Sequence, residues 1–534
     1  MHARNRTDSR FPRRRPAVLG LVGVTATLAL AACGSTSSGG SNNNDATAAS
    51  ATPVADKIVK GGTLTVSGVD PGTAVDPLTT ASPAGTGIVA AVAEQLTRIA
   101  ADGSAQPVLA DKWSVSGDGK TWTFHVRQGV TFQDGTPLTP KDVVASYDRI
   151  IAPKSPSPGK SSFAGLLKDV IAAADGESVD FHLARPFSDF PALTAGSNTY
   201  ILPADYKAGS WEKHPVGTGP FVVKQYSRGQ SVHYEANPSY WDKAHLYLGA
   251  LDFKLYKDAQ ARVLALQSGE IDSLIGEPVE ASLTAALDPS KFEVATVPNA
   301  GFTAFALRAD QAPFDDVKVR QAIAWALDRE GIVKTVLGGA GTLGNDTVYG
   351  PVYQIKPRGL AQRQQDPAKV KELLGGKTVS FTITASPADE TLATVIQQQL
   401  NQVGGFKVKI KILPSSEYYA DGNDAPWLSA PATLTYWASR PSPSQYNNFL
   451  YFKSSDWNAS KYSNPELEKL SAQYDATTDQ AKRQELVDQI AKIEYDEVPV
   501  IVPAFGKSKT FSSKKVHGLH LLPSSTLYTG VWVG

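Results

Sequence analysis

The sequence predicts a mixed α/β fold, with α+β character in places. Strand-period and helix-period segments alternate along the body instead of segregating into halves. Residues 379–412 read as strand, helix, strand, and such a β-α-β unit implies parallel strands covered by their crossover helix. Over 534 residues, 42% are hydrophobic and 19% charged, which supplies a core and excludes a disordered chain.

The elements follow in chain order. Gly62–Val66 alternates as a strand, and Thr121–Val126 places Trp122, Phe124 and Val126 on one face. Asp118-Gly119 before it and Asp134-Gly135 after Val130-Thr131-Phe132 are turn signals. Val179–Leu183 alternates in the same way. Asp315 or Asp316 is placed to cap a helix on which Val319, Ala322, Ile323, Ala326 and Leu327 recur at helical spacing. Val379–Ile383, a helix over 389–402 and Val408–Ile412 form the β-α-β unit. A last helix over 480–494 carries Leu486, Ile490 and Ile493 on one side.

The N-terminus reads as a secretory signal pattern. Arg4, Arg6, Arg10, Arg13, Arg14 and Arg15 precede an apolar run from Ala17 to Ala32, too short for a comfortable membrane span. The run ends in Leu30-Ala31-Ala32-Cys33-Gly34, which resembles a bacterial lipobox. Cys33 is the only cysteine, so a disulfide framework and Cys-rich metal sites are excluded. Residues 1–33 are therefore read as a signal peptide with a lipobox, and 34–56, rich in Gly, Ser, Asn, Ala and Thr, as a flexible tether. The protein is expected outside the cytoplasm, held to the membrane through lipid on Cys33. Arg14-Arg15 suggests a twin-arginine route, but the following residues do not complete that pattern.

Catalytic patterns are weak. There is no His-Glu-x-x-His motif and no Gly-x-Ser-x-Gly elbow. Gly339-Ala-Gly341-Thr-Leu-Gly344 spells a dinucleotide fingerprint but follows a helix, so it reads as a turn. His517 and His520 have no third ligand near them in sequence, and no metal or cofactor is expected. Equal numbers of basic and acidic residues, 52 each, argue against nucleic acid.

Several segments then occur in strict order: Glu94–Arg98, Pro107–Trp113, Gly119–Arg127, Gly129–Leu138, Gly217-Thr-Gly-Pro-Phe221, Asn237–Trp241, Ser268–Asp272, Pro313–Ala322 and Ala326–Glu330. The ordered set resembles the solute-binding proteins of peptide-type ABC importers, the oligopeptide/dipeptide/nickel family, from about residue 60 to 505. The resemblance implies a two-lobed periplasmic-binding-protein-like fold with a hinge and an extra family-specific domain. Lobe one would comprise 57–95, 194–296 and 500–534, the extra domain 96–193, and lobe two 297–499. The chain would cross between lobes near Val297-Pro298-Asn299 and Pro499–Pro503. Most of these motifs, Trp122 and Phe124 included, read as core, and Gly217 and Gly219 as turn residues.

The resemblance also implies function: a monomer capturing a small solute, with peptide the first expectation, and delivering it to a membrane permease and ATPase. Between Tyr418 and Trp457 stand ten aromatics, against 9% overall, in a stretch whose Pro, Ser and Asn content reads largely as loop. Candidate ligand contacts are Trp427, Tyr436, Trp437, Arg440 and Tyr446, with Arg308 near the first crossing. In dipeptide- and oligopeptide-binding relatives, the position matching Arg440 carries an Asp that holds the ligand ammonium. A cation cannot do that, so either another acid holds the ammonium or the ligand lacks a free amino terminus there; Arg440 could instead hold a carboxylate or phosphate in bidentate fashion. The competing readings are an extracytoplasmic lipoprotein hydrolase and a ligand sensor not coupled to transport. Metal chelates, opines, sugars and antibiotics stay open as ligands.

Overall fold

Thr63–Val69 alternates apolar residues and becomes the centre of a mixed sheet. Its neighbours run in the order Phe292–Pro298, Ala504–Ser513, Ser273–Leu274, Thr63–Val69, Ala250–Tyr256, Ser231–Ala236, Phe221–Ser227. Thr63–Val69 pairs in parallel with Ala250–Tyr256 and Ser273–Leu274, and the remaining pairs are antiparallel. Leu64, Val66, Ile88, Val89, Phe221, Tyr234, Leu251 and Phe253 form its core. These facts come from a computed structural model, which describes residues 58–275, 281–284, 287–522 and 526–534. The expected signal segment, the tether and Cys33 lie outside the described residues.

A second sheet runs Phe406–Ile412, Val379–Ala385, Ala432–Trp437, Phe302–Leu307, Val500–Ile501. Its β-α-β unit is parallel, and the crossover helix is Glu390–Val403. Phe302–Leu307 shows why it is central. Phe305 and Leu307 pack with Ile323, Ile383 and Ile396 on one face. Phe302, Ala304 and Ala306 pack with Tyr446, Leu486 and Ile490 on the other. A strand with both faces buried carries apolar residues at nearly every position.

A third, antiparallel sheet, Ala110–Val115, Thr121–Val126, Ser178–Leu183, Leu167–Ala172, is covered by the helix Pro140–Ile151. Trp122, Phe124, Tyr147, Phe163, Phe181 and Phe190 fill the space between them. Tyr147 meets Phe181 edge-on, at 4.8 Å and 86°.

The chain leaves the first sheet after Phe292–Pro298 and joins the second at Phe302–Leu307. It returns between Val500–Ile501 and Ala504–Ser513. Val500 and Ile501 pair with Ala306 and Phe305, so they belong to the second sheet although the sequence reading grouped 500–534 with the first lobe. The Gly339–Gly344 turn also differs. Gly341–Leu343 is a strand on Ala504–Gly506, and Gly344 lies so close to the Val502 carbonyl that a Cβ would collide with it. The aromatic stretch is more ordered than expected. It contains the helices Pro426–Ser429 and Pro443–Tyr451 flanking the strand Ala432–Trp437. Pro426 and Pro443 occupy first helical positions, where a missing N–H costs nothing, and Ser442 caps by accepting from Ser444 N–H.

Three of the separated sequence motifs meet at one carboxylate. Glu94 accepts from the Thr218 hydroxyl (2.9 Å), the Tyr240 hydroxyl (2.9 Å) and Trp241 Nε1 (3.0 Å). Arg127 stacks on Trp241 at 4.3 Å. Gly217 and Gly219 press against the Val92–Ala93 backbone, where any Cβ would clash, so close approach and not a left-handed turn requires them. Burial outweighs these hydrogen bonds and pushes the Glu94 carboxyl up from 4.5 to about 7. Folded Glu94 thus keeps its proton to a higher pH than unfolded Glu94. Folding takes up a proton between these values, so the stability contributed by this group is fully present below pH 4.5 and is lost as pH rises through 7. The loss from this group is about 3 kcal/mol. Burial of Asp475, raised to about 6, acts in the same direction. Glu94→Gln is expected to flatten the decline in unfolding midpoint between pH 5 and 8, measured by thermal melts across that range.

Candidate functional site

The cleft between the lobes holds two adjoining cavities. The first, about 200 Å³, is walled on one side by Ile99, Gly103, Pro158, Gly159, Ser161, Ser162, Leu193 and Gly196–Thr199. Val352, Tyr353 and Ser439–Pro441, from the second lobe, form the opposite wall. The second cavity, about 280 Å³, shares Gly103, Tyr353 and Pro441 with it and extends past Trp113 and Trp122 toward Asp189, Tyr474 and Arg483. Gly103, at φ +82°, brings its backbone against the Val352 carbonyl so tightly that a side chain is excluded. Walls that mix apolar side chains with hydroxyl, amide and charged groups suit a small polar solute.

Among the described residues, Arg440 is the only charged one lining the first cavity. The strand Ala432–Trp437 and the helix Pro443–Tyr451 fix the short segment between them, which carries it. Its N–H donates to the Tyr446 hydroxyl (3.1 Å), and its carbonyl accepts from the Tyr353 hydroxyl (2.9 Å). Tyr446 is in turn anchored by the Ala438 carbonyl at 2.8 Å and the Ala300 carbonyl at 3.0 Å. The guanidinium lies 5.3 Å from the Phe449 ring centre. Arg440 Nε is buried without a hydrogen-bond partner among the described residues. Burial lowers the pKa of Arg440, and only the Tyr446 and Tyr353 hydroxyls act against it.

The other predicted residues take varied places. Trp437 is buried, stacked on Phe449 at 6.0 Å and close to Trp457 at 5.9 Å. Tyr446 is fully buried. Trp427 packs on Trp457 at 6.3 Å, and Tyr436 is exposed with its hydroxyl beside Gly301. The Arg308 guanidinium is engaged by Asp310 at 2.7 Å and by the Ser429 carbonyl at 2.9 Å. Of the six, Arg440 alone is on the first cavity's wall, and none lines the second. The sequence reading missed Tyr353, Asn198, Thr199 and Gly103. No local pattern marks them, since they converge only when the two lobes meet.

A polar network joins the lobes beside the second cavity. Asp189 accepts from the Ser442 hydroxyl (2.6 Å) and from Arg483, which also contacts Ser188 and Tyr474. Asp475 accepts from Arg185 (2.6 Å) and from the Ser444 hydroxyl (2.5 Å), and its carbonyl accepts from Ser188 N–H at 2.7 Å. Ser442 and Ser444 begin the helix that follows Arg440, so the same turn serves both the cavity wall and the interlobe contact.

Two lobes connected by two chain crossings, with a walled cleft between them, define the two-lobed periplasmic binding fold, built to enclose a solute. Residues 104–459 match the model for bacterial extracellular solute-binding proteins, family 5 middle. The chain belongs to that family and is an extracytoplasmic solute-binding protein. It is 28% identical over 435 residues to the dipeptide-binding protein of Escherichia coli K12, covering 74% of this chain and 80% of that one. It is equally identical over 452 residues to heme-binding protein A of Haemophilus influenzae, covering 77% and 81%. Among solved structures, HbpA2 of Haemophilus parasuis superposes with a TM-score of 0.78 at 24% identity, over 89% of this chain and all of the other. The family is one of binding proteins, with relatives named for different solutes.

Proposed function

We propose that the protein captures a peptide or related small solute between its lobes and hands it to an ABC permease and ATPase, without altering it chemically. The observation that carries this reading is the first cavity, whose walls come from both sides of the cleft. A solute that touches both walls binds the closed arrangement better than the open one, and that difference alone drives closure. A micromolar solute provides about 8 kcal/mol, ample to shift an open–closed equilibrium of a few kcal/mol. Dipeptide-binding and oligopeptide-binding relatives support peptide as the solute class. Arg440 touches the solute, with Trp437 and Tyr446 positioning it. The lobes follow the two large sheets, the 96–193 segment forms the extra domain, and lipid on Cys33 tethers the whole to the outer face of the membrane.

Mass spectrometry of solute retained by the purified full chain tests this. A peptide recovered intact is expected; a retained non-peptide solute contradicts the peptide assignment, and a chemically altered one contradicts pure binding. Cys33→Ser is expected to move the protein from the membrane fraction to the soluble extracytoplasmic fraction, and retention in the membrane would rule out the lipid tether.

A further inference from the structure

We infer that Arg440 is an anion receptor, so that the solute presents a carboxylate to it and needs no free ammonium group in the first cavity. This inference deepens the proposed function and rests on it.

Three observations carry it. The first is the charge of the wall. Among the described residues, those around the first cavity are apolar, glycine or neutral polar apart from Arg440, with no Asp or Glu to hold an ammonium and one guanidinium to hold an anion. The second is the state of that guanidinium. No ion pair involves Arg440 among the described residues, and Nε is buried without an acceptor. Arg329 and Arg363 also have a buried Nε without an acceptor, but their guanidinia share Asp346, and Arg483 pairs with Asp189, whereas Arg440 has no carboxylate partner among the described residues. The charged residues that line the second cavity, Asp189 and Arg483, neutralise one another, which leaves Arg440 as the uncompensated charge among the described residues lining the two cavities. The third is preorganisation. The backbone on both sides of the side chain is clamped by Tyr446 and Tyr353, and the guanidinium rests against Phe449. A fixed, half-buried fork loses little entropy when a carboxylate docks, and a bidentate partner would supply an acceptor for the buried Nε.

The chemistry also excludes a cationic end at this wall. A buried ammonium beside an unpaired guanidinium would be repelled with no compensating carboxylate, and the desolvation of both charges would go unrecovered. Selectivity therefore comes from rejection of one charge as well as attraction of the other.

The test uses the full chain and matched tripeptide triplets: the free acid, its C-terminal amide and its N-acetylated acid. Binding is read by calorimetry and by shift of the unfolding midpoint. At least one free acid is expected to bind about ten- to a hundred-fold tighter than its amide, with N-acetylation tolerated. Arg440→Gln is expected to reduce that acid-to-amide ratio to near one while leaving the unfolding midpoint of the unliganded protein close to wild type. Arg440→Lys should restore part of the ratio, because it keeps the charge but not the fork. The inference is overturned if amides bind as well as acids, if only peptides with a free amino terminus bind, or if the ratio survives Arg440→Gln. A panel in which nothing binds also counts against it. Failure of the underlying solute-binding reading would look different: no solute of any charge would be retained by the purified chain.

Discussion

Asp346→Ala lowers the unfolding free energy by about 3–5 kcal/mol, the cost of leaving a buried charge without its partner. Asp346 is fully buried and accepts from Arg329 Nη2 through both oxygens, at 2.8 and 2.7 Å, and from Arg363. Both guanidinia are themselves buried, so removing the carboxylate strands two cations in the second lobe. Arg363 also donates to the Tyr495 carbonyl (2.9 Å) and stacks on Tyr495 at 3.9 Å, which ties the cluster to the end of the helix Gln480–Glu497. Asp346 sits beside the return crossing, its N–H directed at the Val502 carbonyl, and only a few residues before the cavity wall at Val352–Tyr353. Asp346→Asn separates charge from shape. Asn tolerates the φ of +59° found there and keeps one acceptor, so it is expected to be less damaging than Ala but well below wild type. Urea unfolding of the three proteins checks this order; equal stability of Ala and wild type would contradict it.

Asp189→Ala weakens solute binding by about thirty-fold without touching the first cavity. Asp189 is held by Arg483, Ser442 and Tyr474 of the second lobe, and these bonds exist only when the lobes meet. Removing one partner of such a buried, hydrogen-bonded pair costs about 2 kcal/mol or more, and the cost falls on the closed state alone. The off-rate is expected to rise more than the on-rate falls. Arg483→Met should reproduce the effect, and the double variant should lose less than the sum of the two single losses, since both remove one interaction. Stopped-flow release of a bound solute checks this, and unchanged release from both single variants would deny the network any part in closure.

The fold was legible in the sequence to a greater depth than the site. Alternation in Thr121–Val126 and the strand–helix–strand order over 379–412 follow from local periodicity, and both elements form. The ordered motifs pointed to the family because they are structural. Glu94, Thr218, Tyr240 and Trp241 lie far apart in sequence and close on one another in space. The aromatic stretch misled for a physical reason. Pro, Ser and Asn are common in loops, but Pro443 and Ser442 start a helix, and Tyr418, Tyr446 and Tyr451 anchor the core through buried rings. Composition marks a region rich in rings without saying which of them face inward. Arg440 stood out because its charge departs from the family pattern. Tyr353, which clamps it, and Gly103, which admits the opposite wall, have no signal in one dimension, because a cleft between lobes is a property of two segments at once.

Hydrogen–deuterium exchange with and without saturating solute tests capture between the lobes most directly. If the solute is enclosed in the cleft, the 97–105, 158–162 and 196–199 segments of one wall and the 349–354 and 437–442 segments of the other gain protection together. Protection confined to one wall, or appearing only outside the cleft, would contradict the account.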